Sequence, residues 1–460
     1  MCIRDRIVNL HGKGGRPSPA LGRTVKADHI RVEPWGRGDL AYRALGEVDV
    51  LRVIEYVRTW YRIDPSRIYV TGGSMGGMGT WVIATRHPDL FAAAAPLFGS
   101  ADNLPLENLR NVPVLSLHGT KDWVVSVDHS RYAVSRLERL GYAVAHEEFP
   151  EAGHGLPPGT NFAGDWMLPL RKDEHPAAVT YTCETEDRGK AYWLNIRRFT
   201  DLHRPATIRA RTTGRGKYQT LTFLTENVDV LELDVDGMGL DRDADLIVQA
   251  HLQMLRAKAP LPERLFAIRK AGAWTLSSER APPKAAVRRY RPGAAANLYE
   301  GEPLLIVYGS GAEAPRTALL REAAGKLARF GGAGWGGEMA VGRIPCRRDT
   351  DMTDEDMAHF NLILLGGPKD NRITARLFDK LPIRVTDDNE LVAGNRSPVP
   401  LRGAAVRLLY YNPLAPERLV FLLWTDERGG EADKWLRTPQ RFLTGASGAF
   451  RGSQADLVVQ

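Results

Sequence analysis

Three residues in the first third of the chain have the types and the order that acyl transfer needs: Ser74, Asp122 and His154. A serine hydroxyl is a weak nucleophile until an imidazole takes its proton, and a carboxylate on the other ring nitrogen keeps that imidazole in the right tautomer. Ser74 stands in Arg67-Ile68-Tyr69-Val70-Thr71-Gly72-Gly73-Ser74-Met75-Gly76-Gly77-Met78-Gly79: an apolar run, then Gly-x-Ser-x-Gly, then small residues. That is the pattern of a strand turning sharply into a helix and lifting the serine clear of the sheet. Glycines flank the serine because a Cβ at either position would collide with the neighbouring strand or helix. Gly445-Ala446-Ser447-Gly448-Ala449 lacks the final glycine and any preceding strand, so it takes no role.

Asp122 ends the run Val112-Pro113-Val114-Leu115-Ser116-Leu117-His118-Gly119-Thr120-Lys121-Asp122-Trp123, on the loop after a buried strand. Asp128 competes for the role of acid, but it falls where a helix should begin and reads better as part of the first turn. His154, in Glu151-Ala152-Gly153-His154-Gly155, follows another strand and can reach over the sheet edge to Ser74. His118 reads as structural, and His11, His29, His87, His129 and His146 lack such a setting. The loop Leu10-His11-Gly12-Lys13-Gly14-Gly15 follows the first apolar strand, where one backbone N–H of an oxyanion hole is supplied; the residue after the nucleophile supplies the other. Met75 and Lys13 are therefore assigned to the oxyanion, with Gly12 and Gly14 as alternatives to Lys13. No serine or threonine follows the lysine, which argues against a phosphate loop. Ligands of open parallel sheets bind outside the carboxyl ends of the strands. Trp35 and Trp123 follow two such ends and are expected to rim the crevice, the plainer reading being that each packs under a loop.

These residues need a scaffold. From Ile7 to about Arg171, short apolar strands (Ile7–Leu10, His29–Glu33, Ile68–Thr71, Ala93–Leu97, Val112–Leu117, Ala143–Phe149) alternate with amphipathic helices such as Gly46–Trp60 and Val127–Leu140. That alternation argues for a parallel sheet covered on both faces. From Val179 to about Leu276 the runs turn β-like (Ala191–Ile196, Ala206–Ala210, Thr220–Leu224, Val228–Leu233), with a hairpin over Leu265–Leu276 turning near Ala271-Gly272. After a Pro-rich, basic stretch come Leu304–Tyr308, a helix Arg316–Phe330, Leu362–Leu365, a helix Asn371–Lys380 and Leu419–Trp424, which suggest a second α/β module. The expected division is a catalytic domain over 7–171, a β-rich module over 175–278, a linker over 279–301, the second α/β module over 302–430 and a C-terminal segment over 431–460. Tyr308-Gly309-Ser310-Gly311 and Leu365-Gly366-Gly367-Pro368 do not complete a dinucleotide fingerprint.

Composition narrows the classes. Hydrophobic residues make up 43% and charged residues 25%, an ordinary globular balance. No apolar run approaches the roughly 20 residues that span a bilayer. The net charge of +7 comes mostly from scattered arginines; the one tight cluster, Arg288, Arg289 and Arg291, is too short for a nucleic-acid platform. Cys2, Cys183 and Cys346 are far apart and imply neither a disulfide framework nor a metal cluster. Met1 to Arg6 lead straight into a buried-looking strand with no signal peptide, and Leu457–Gln460 resembles a strand cut short; both suggest a fragment.

The segment Glu33–Trp81, with Trp35-Gly36-Arg37-Gly38-Asp39, Ile63-Asp64-Pro65-Ser66-Arg67-Ile68-Tyr69-Val70 and Ser74-Met75-Gly76-Gly77-Met78-Gly79-Thr80-Trp81, resembles the catalytic domain of prolyl oligopeptidase-type serine hydrolases. It is equally similar to bacterial esterases of the feruloyl and acetyl-xylan type. The resemblance covers about Ile7 to Pro169 and implies an α/β-hydrolase sheet of eight strands, the leading ones missing here. No seven-bladed propeller repeat accompanies it, which favours esters over peptides. The expected chemistry is acyl transfer to water, with no metal or organic cofactor and a small ester as substrate. A peptidase for short peptides and a non-catalytic binding protein on the same scaffold are the alternatives.

Overall fold

The computed structural model describes residues 5–15, 29–39, 41–43, 45–160, 162–201, 204–214, 219–279, 303–328, 344–394, 397–425, 436–437 and 457–459. The Arg288–Arg291 cluster, the expected linker beyond residue 279, the Gly445–Ala449 stretch and the expected helix end at Phe330 lie outside them. The chain divides into two compact units, Met1–Gly36 with Asp49–Ala285, and Arg37–Val48 with Ala286–Gln460. The expected catalytic domain and β-rich module share most of the first unit.

That unit opens with β1 (Asp5–Leu10), β2 (His29–Val32), α1 (Leu45–Trp60, entering the unit at Asp49), β3 (Ile68–Gly73), α2 (Met75–Arg86), β4 (Ala93–Leu97), β5 (Val114–Gly119), α3 (Val127–Arg139), β6 (Val144–Phe149) and α4 (Phe162–Met167). The strands form one parallel sheet in the order β2-β1-β3-β4-β5-β6. All six residues of β5 and the first five of β3 are buried. A parallel sheet covered on both faces requires this, and it explains why these strands read as continuous apolar runs rather than alternating ones. Helix α3 starts where the Ser126 hydroxyl accepts the Asp128 N–H, and it buries Val127, Ala133, Val134 and Leu137.

The same unit continues with β7 (Ala178–Cys183), β8 (Lys190–Ala191), β9 (Leu194–Phe199), β10 (Ala206–Thr213), β11 (Gln219–Glu226), β12 (Val228–Asp234), β13 (Leu246–Ala250), β14 (Gln253–Ala257), β15 (Arg264–Lys270) and β16 (Ala273–Ser277). They make two five-stranded sheets, β14-β13-β11-β10-β7 and β16-β15-β12-β9-β8, closed over a shared core with Trp193, Ile196, Ile208, Phe223 and Leu231. One expectation is corrected here: Ala191–Ile196 is not a single strand. Tyr192 takes a left-handed turn at φ 53°, so β8 and β9 form a tight antiparallel pair. Near Ala271-Gly272, at φ 49° and 83°, the β15–β16 hairpin turns where it was expected.

Polar side chains join the sandwich to the parallel-sheet part of the same unit. Asn108 is buried; its amide donates to the carbonyls of Thr85 (2.8 Å) and Thr182 (2.9 Å) and accepts the Thr182 N–H (2.7 Å). Asn111 donates to Ala178 O and Tyr192 OH to Pro88 O.

The second unit contains β17 (Leu304–Tyr308), α5 (Ala314–Ala328), β18 (Cys346–Arg348), α6 (Asp354–His359), β19 (Asn361–Leu365), α7 (Arg372–Phe378), β20 (Ile383–Val385), β21 (Glu390–Ala393), β22 (Val399–Pro400), β23 (Ala405–Asn412), β24 (Ala415–Thr425) and β25 (Leu457–Val459). Its main sheet runs β18-β17-β19-β24-β23-β25; the first four strands are parallel and the last two pair antiparallel. Alternate residues of β17 and β19 enter two separate cores, Ile306 and Ile363 on one face, Val307 and Leu364 on the other. Strand β24 is longer than the expected Leu419–Trp424 because it hairpins with β23. Among the described residues no helix is long and apolar enough to cross a membrane.

The three hydrogen bonds of Asn108 yield a prediction. Asn108→Ala leaves buried carbonyl and N–H groups unpaired and should destabilise the first unit by roughly 2–3 kcal/mol. Urea denaturation followed by tryptophan fluorescence measures it, and a midpoint within error of wild type would show the contact to be inessential.

Candidate active site

Strand β3 delivers Ser74 at its carboxyl end, and α2 starts at the next residue. Ser74 sits at φ 59° and ψ −119°, a strained backbone for a residue with a Cβ. The strain persists because the turn is held from both sides. Ser74 N–H donates to Leu97 O at 3.0 Å, and Ser74 O accepts the Met78 N–H at 3.0 Å. The flanking glycines allow the approach: a Cβ on Gly76 would lie 2.0 Å from Leu10 O, and one on Gly72 would lie 2.5 Å from the same atom.

The loop after β5 carries Asp122, whose side chain is fully buried. Its Oδ1 accepts the N–H groups of Val124 (2.8 Å) and Val125 (2.9 Å), and its Oδ2 lies 2.8 Å from His154 Nδ1. Burial opposes ionisation of this carboxyl. The hydrogen bonds from Val125, His154 and Val124 outweigh it and hold Asp122 below the usual carboxylate range. The loop after β6 carries His154, with Nε2 2.7 Å from Ser74 Oγ. An ionised carboxylate only accepts, so the Nδ1 proton points at Asp122 and Nε2 is free to accept the serine hydroxyl. The two loops touch main chain to main chain: Lys121 N–H donates to Ala152 O, and a Cβ on Gly119 would lie 2.4 Å from the carbonyls of Ala152 and Gly153. Lys121 and Glu151 pair on the outside.

The structure thus brings together Ser74, His154 and Asp122. Gly12, on the loop after β1, lies against Ser74, a Cβ there being 3.8 Å from the serine Cβ. Met75 is buried at the start of α2, and the Lys13 side chain is exposed. Asp128 is exposed in the first turn of α3, paired with Arg131. Trp123 is 87% exposed on the turn after Asp122, and Trp35 is half-buried with its carbonyl 2.7 Å from His11 Nε2.

Two contributors were not legible in the sequence. Phe98, at φ 37°, stands over Gly73, where a Cβ would meet its ring at 2.5 Å; the same ring meets His154 edge to face at 5.2 Å. His118 is fully buried with Nε2 3.2 Å from Asp122 Oδ2. An aromatic after a strand and a histidine before a glycine carry no local signature of either contact. Among the described residues no group of three metal-donating side chains gathers.

Residues 39–105 match the prolyl oligopeptidase family. A putative esterase, NocK, of Nocardia uniformis subsp. tsuyamanensis is 33% identical over 138 residues, which is 26% of this chain and 40% of that protein. Feruloyl esterase B of Neurospora crassa is 36% identical over 113 residues, 21% of this chain and 39% of that protein. The chain therefore spans about two fifths of the length of these relatives. A solved thermostable esterase is 27% identical, with a TM-score of 0.31 over 37% of this chain and 55% of its own. The part of the chain around Ser74 is thus similar in sequence to the prolyl oligopeptidase family and to esterases.

A Cβ tests the geometry. Gly76→Ala drives a methyl into a main-chain carbonyl and should destabilise by at least about 3 kcal/mol, or prevent folding outright. Gly12→Ala, whose Cβ would meet Gly73 O at an ordinary 3.5 Å, should stay within about 1 kcal/mol of wild type. Thermal melts of both variants decide it, and a stable Gly76→Ala protein would contradict the close approach.

Proposed function

We propose that this chain is a serine hydrolase of carboxylic esters, with Ser74 as nucleophile, His154 as general base and Asp122 as the orienting acid. The observation that carries the reading is the position of His154, 2.7 Å from Ser74 Oγ and 2.8 Å from Asp122 Oδ2 at once. Three loops at one edge of the sheet supply these groups, and a structural hydrogen-bond pair would need only two of them. Ser74 Oγ attacks the carbonyl carbon while its proton passes to His154 Nε2, and the amides of Met75 and Lys13 stabilise the oxyanion. The C–O bond to the alcohol then breaks, and His154 returns the proton to the departing alkoxide. Water attacks the acyl-serine with its proton going to His154; the carboxylic acid leaves and Ser74 recovers its proton. No redox step or organic cofactor enters this sequence.

Trp123 and Trp35 are proposed to contact the acyl group. An indole left 87% exposed beside the acid has apolar area to bury when a flat substrate covers its ring face. A peptidase of short peptides is the second reading, favoured by the prolyl oligopeptidase match over residues 39–105; the same groups would cleave an amide with the amine as leaving group.

Ser74→Ala should abolish fluorophosphonate labelling and turnover of p-nitrophenyl esters while the circular dichroism spectrum stays as in wild type. Retention of near wild-type esterase activity would sink the assignment, and an unlabelled, inactive wild type would point to a binding protein. Asp122→Asn should lower kcat about 10³- to 10⁴-fold, against less than about two-fold for Asp128→Asn; the reverse ranking would move the acid to Asp128. Trp123→Ala should raise KM for aryl esters more than for acetyl esters, and equal effects would remove it from the pocket. Turnover of proline-containing peptide amides in preference to esters would favour the second reading.

A further inference from the structure

We propose that His118 is a positioning residue of this site: held by Ser130 as the Nε2–H tautomer, it donates into Asp122 and fixes the carboxylate that orients His154. The inference rests on the reading of Ser74, His154 and Asp122 given above.

His118 lies at the end of β5, and its side chain and that of Asp122 are both fully removed from water. Its Nε2 is 2.9 Å from Val125 O and 3.2 Å from Asp122 Oδ2. A carbonyl and an ionised carboxylate can only accept, so the ring carries its proton on Nε2 and shares it between them. The other nitrogen, Nδ1, is 2.7 Å from Ser130 Oγ on α3. Burial lowers the proton affinity of this ring below the ordinary imidazole range; the Val125 carbonyl and the Asp122 charge oppose this, and nearby His146 adds to it. The ring is therefore neutral, Nδ1 is bare, and the Ser130 hydroxyl donates to it. Ser130 is itself buried. In a helix interior its hydroxyl would ordinarily turn back on the preceding turn, and here it fixes a tautomer instead.

Asp122 thereby receives four N–H groups, Val124 and Val125 on Oδ1, His154 and His118 on Oδ2. The two amides fix one oxygen. Through the planar carboxylate they also set the place of Oδ2, and His118 adds a donor on Oδ2 besides the mobile base. Without it, rotation of the carboxylate is resisted on the Oδ1 side alone, and the anchor of His154 is held less stiffly.

Long-range ¹H–¹⁵N spectra of histidine-labelled protein at pH 7 test the tautomer whether or not the chain is active. His118 should show a protonated Nε2 and a bare Nδ1, and Ser130→Ala should shift the Nδ1 resonance; a protonated Nδ1 overturns the proposal. In the same spectra His118→Leu should move the low-field Nδ1–H proton of His154, and an unmoved proton overturns it too. On p-nitrophenyl esters His118→Leu should lower kcat roughly 10- to 100-fold with KM within about two-fold. A carboxylate with one donor fewer attracts the imidazolium proton more strongly, so the acid limb of kcat/KM should move to higher pH by roughly half a unit. His118→Gln, which keeps an N–H near the Nε2 position, should recover most of kcat and return the acid limb. Equal losses in the Leu and Gln variants that follow a fall in Tm, with the acid limb unmoved, would make His118 merely structural and overturn the proposal. A wild type that hydrolyses no ester or amide would fail the hydrolase reading and leave the spectra to judge His118.

Discussion

The distance between one helix and one sheet governs the candidate site. Leu10 O occupies the space that a Cβ on Gly72 or Gly76 would need, and Leu97 O stands 2.3 Å from where a Cβ on Gly77 would lie. Helix α2 therefore rests directly on β1 and β4 without a layer of side chains between. With the helix so close, the residue joining it to β3 has too little chain for a relaxed turn, and Ser74 is forced to positive φ. The local cost is of order 1–3 kcal/mol, borne by the hydrogen bonds of β3 with its neighbours and by the buried apolar surface around Tyr69, Ala93 and Leu117. A serine so constrained cannot withdraw its hydroxyl into the sheet.

Much of this was legible in the chain. The strands of the parallel sheet were read within about two residues of their ends; for the inner strands β3, β4 and β5 the reason is that a strand buried on both faces must be an unbroken apolar run and a helix beside it cannot be. Ser74, Asp122 and His154 were placed by the ends of strands, where loops gather: β3 and β5 are such runs, whereas β6 alternates in exposure. The sandwich was read less completely. Strands β10 and β11 alternate plainly between buried and exposed. Tyr192 and Trp193 have the composition of a strand and in fact make its turn, since nothing in a tyrosine announces a positive φ. Strands β7, β13 and β14 escaped notice, the last two being five residues each around the His251-Leu252 turn. The contacts of Phe98 and of His118 with Ser130 are tertiary and leave no periodic mark.

The sandwich is not an appendage held by a linker. Asn108 ties the end of α2, through Thr85, to β7 through Thr182, so one amide spans the helix that follows Ser74 and the β module. Tyr192 and Asn111 add bonds along the same seam, both to backbone carbonyls. Carbonyls prefer donors near the plane of their lone pairs, and several such bonds together favour one orientation of the seam. The strained Tyr192 turn aims its hydroxyl at Pro88 and thereby belongs to that seam.

The backbone stacking of the acid loop on the base loop carries a further meaning. Gly119 lets the carbonyls of Ala152 and Gly153 come within 2.4 Å of where its Cβ would be, and Lys121 N–H closes on Ala152 O. The spacing of Asp122 and His154 is thereby written in main-chain atoms, while the side chains on the outer surface of both loops, Lys121 and Glu151 among them, are spectators of it. Exchanging charges on the rim can accordingly leave that spacing in place while it alters the field around it, so the geometry of the candidate site and the charge of its surroundings are separable features of this molecule.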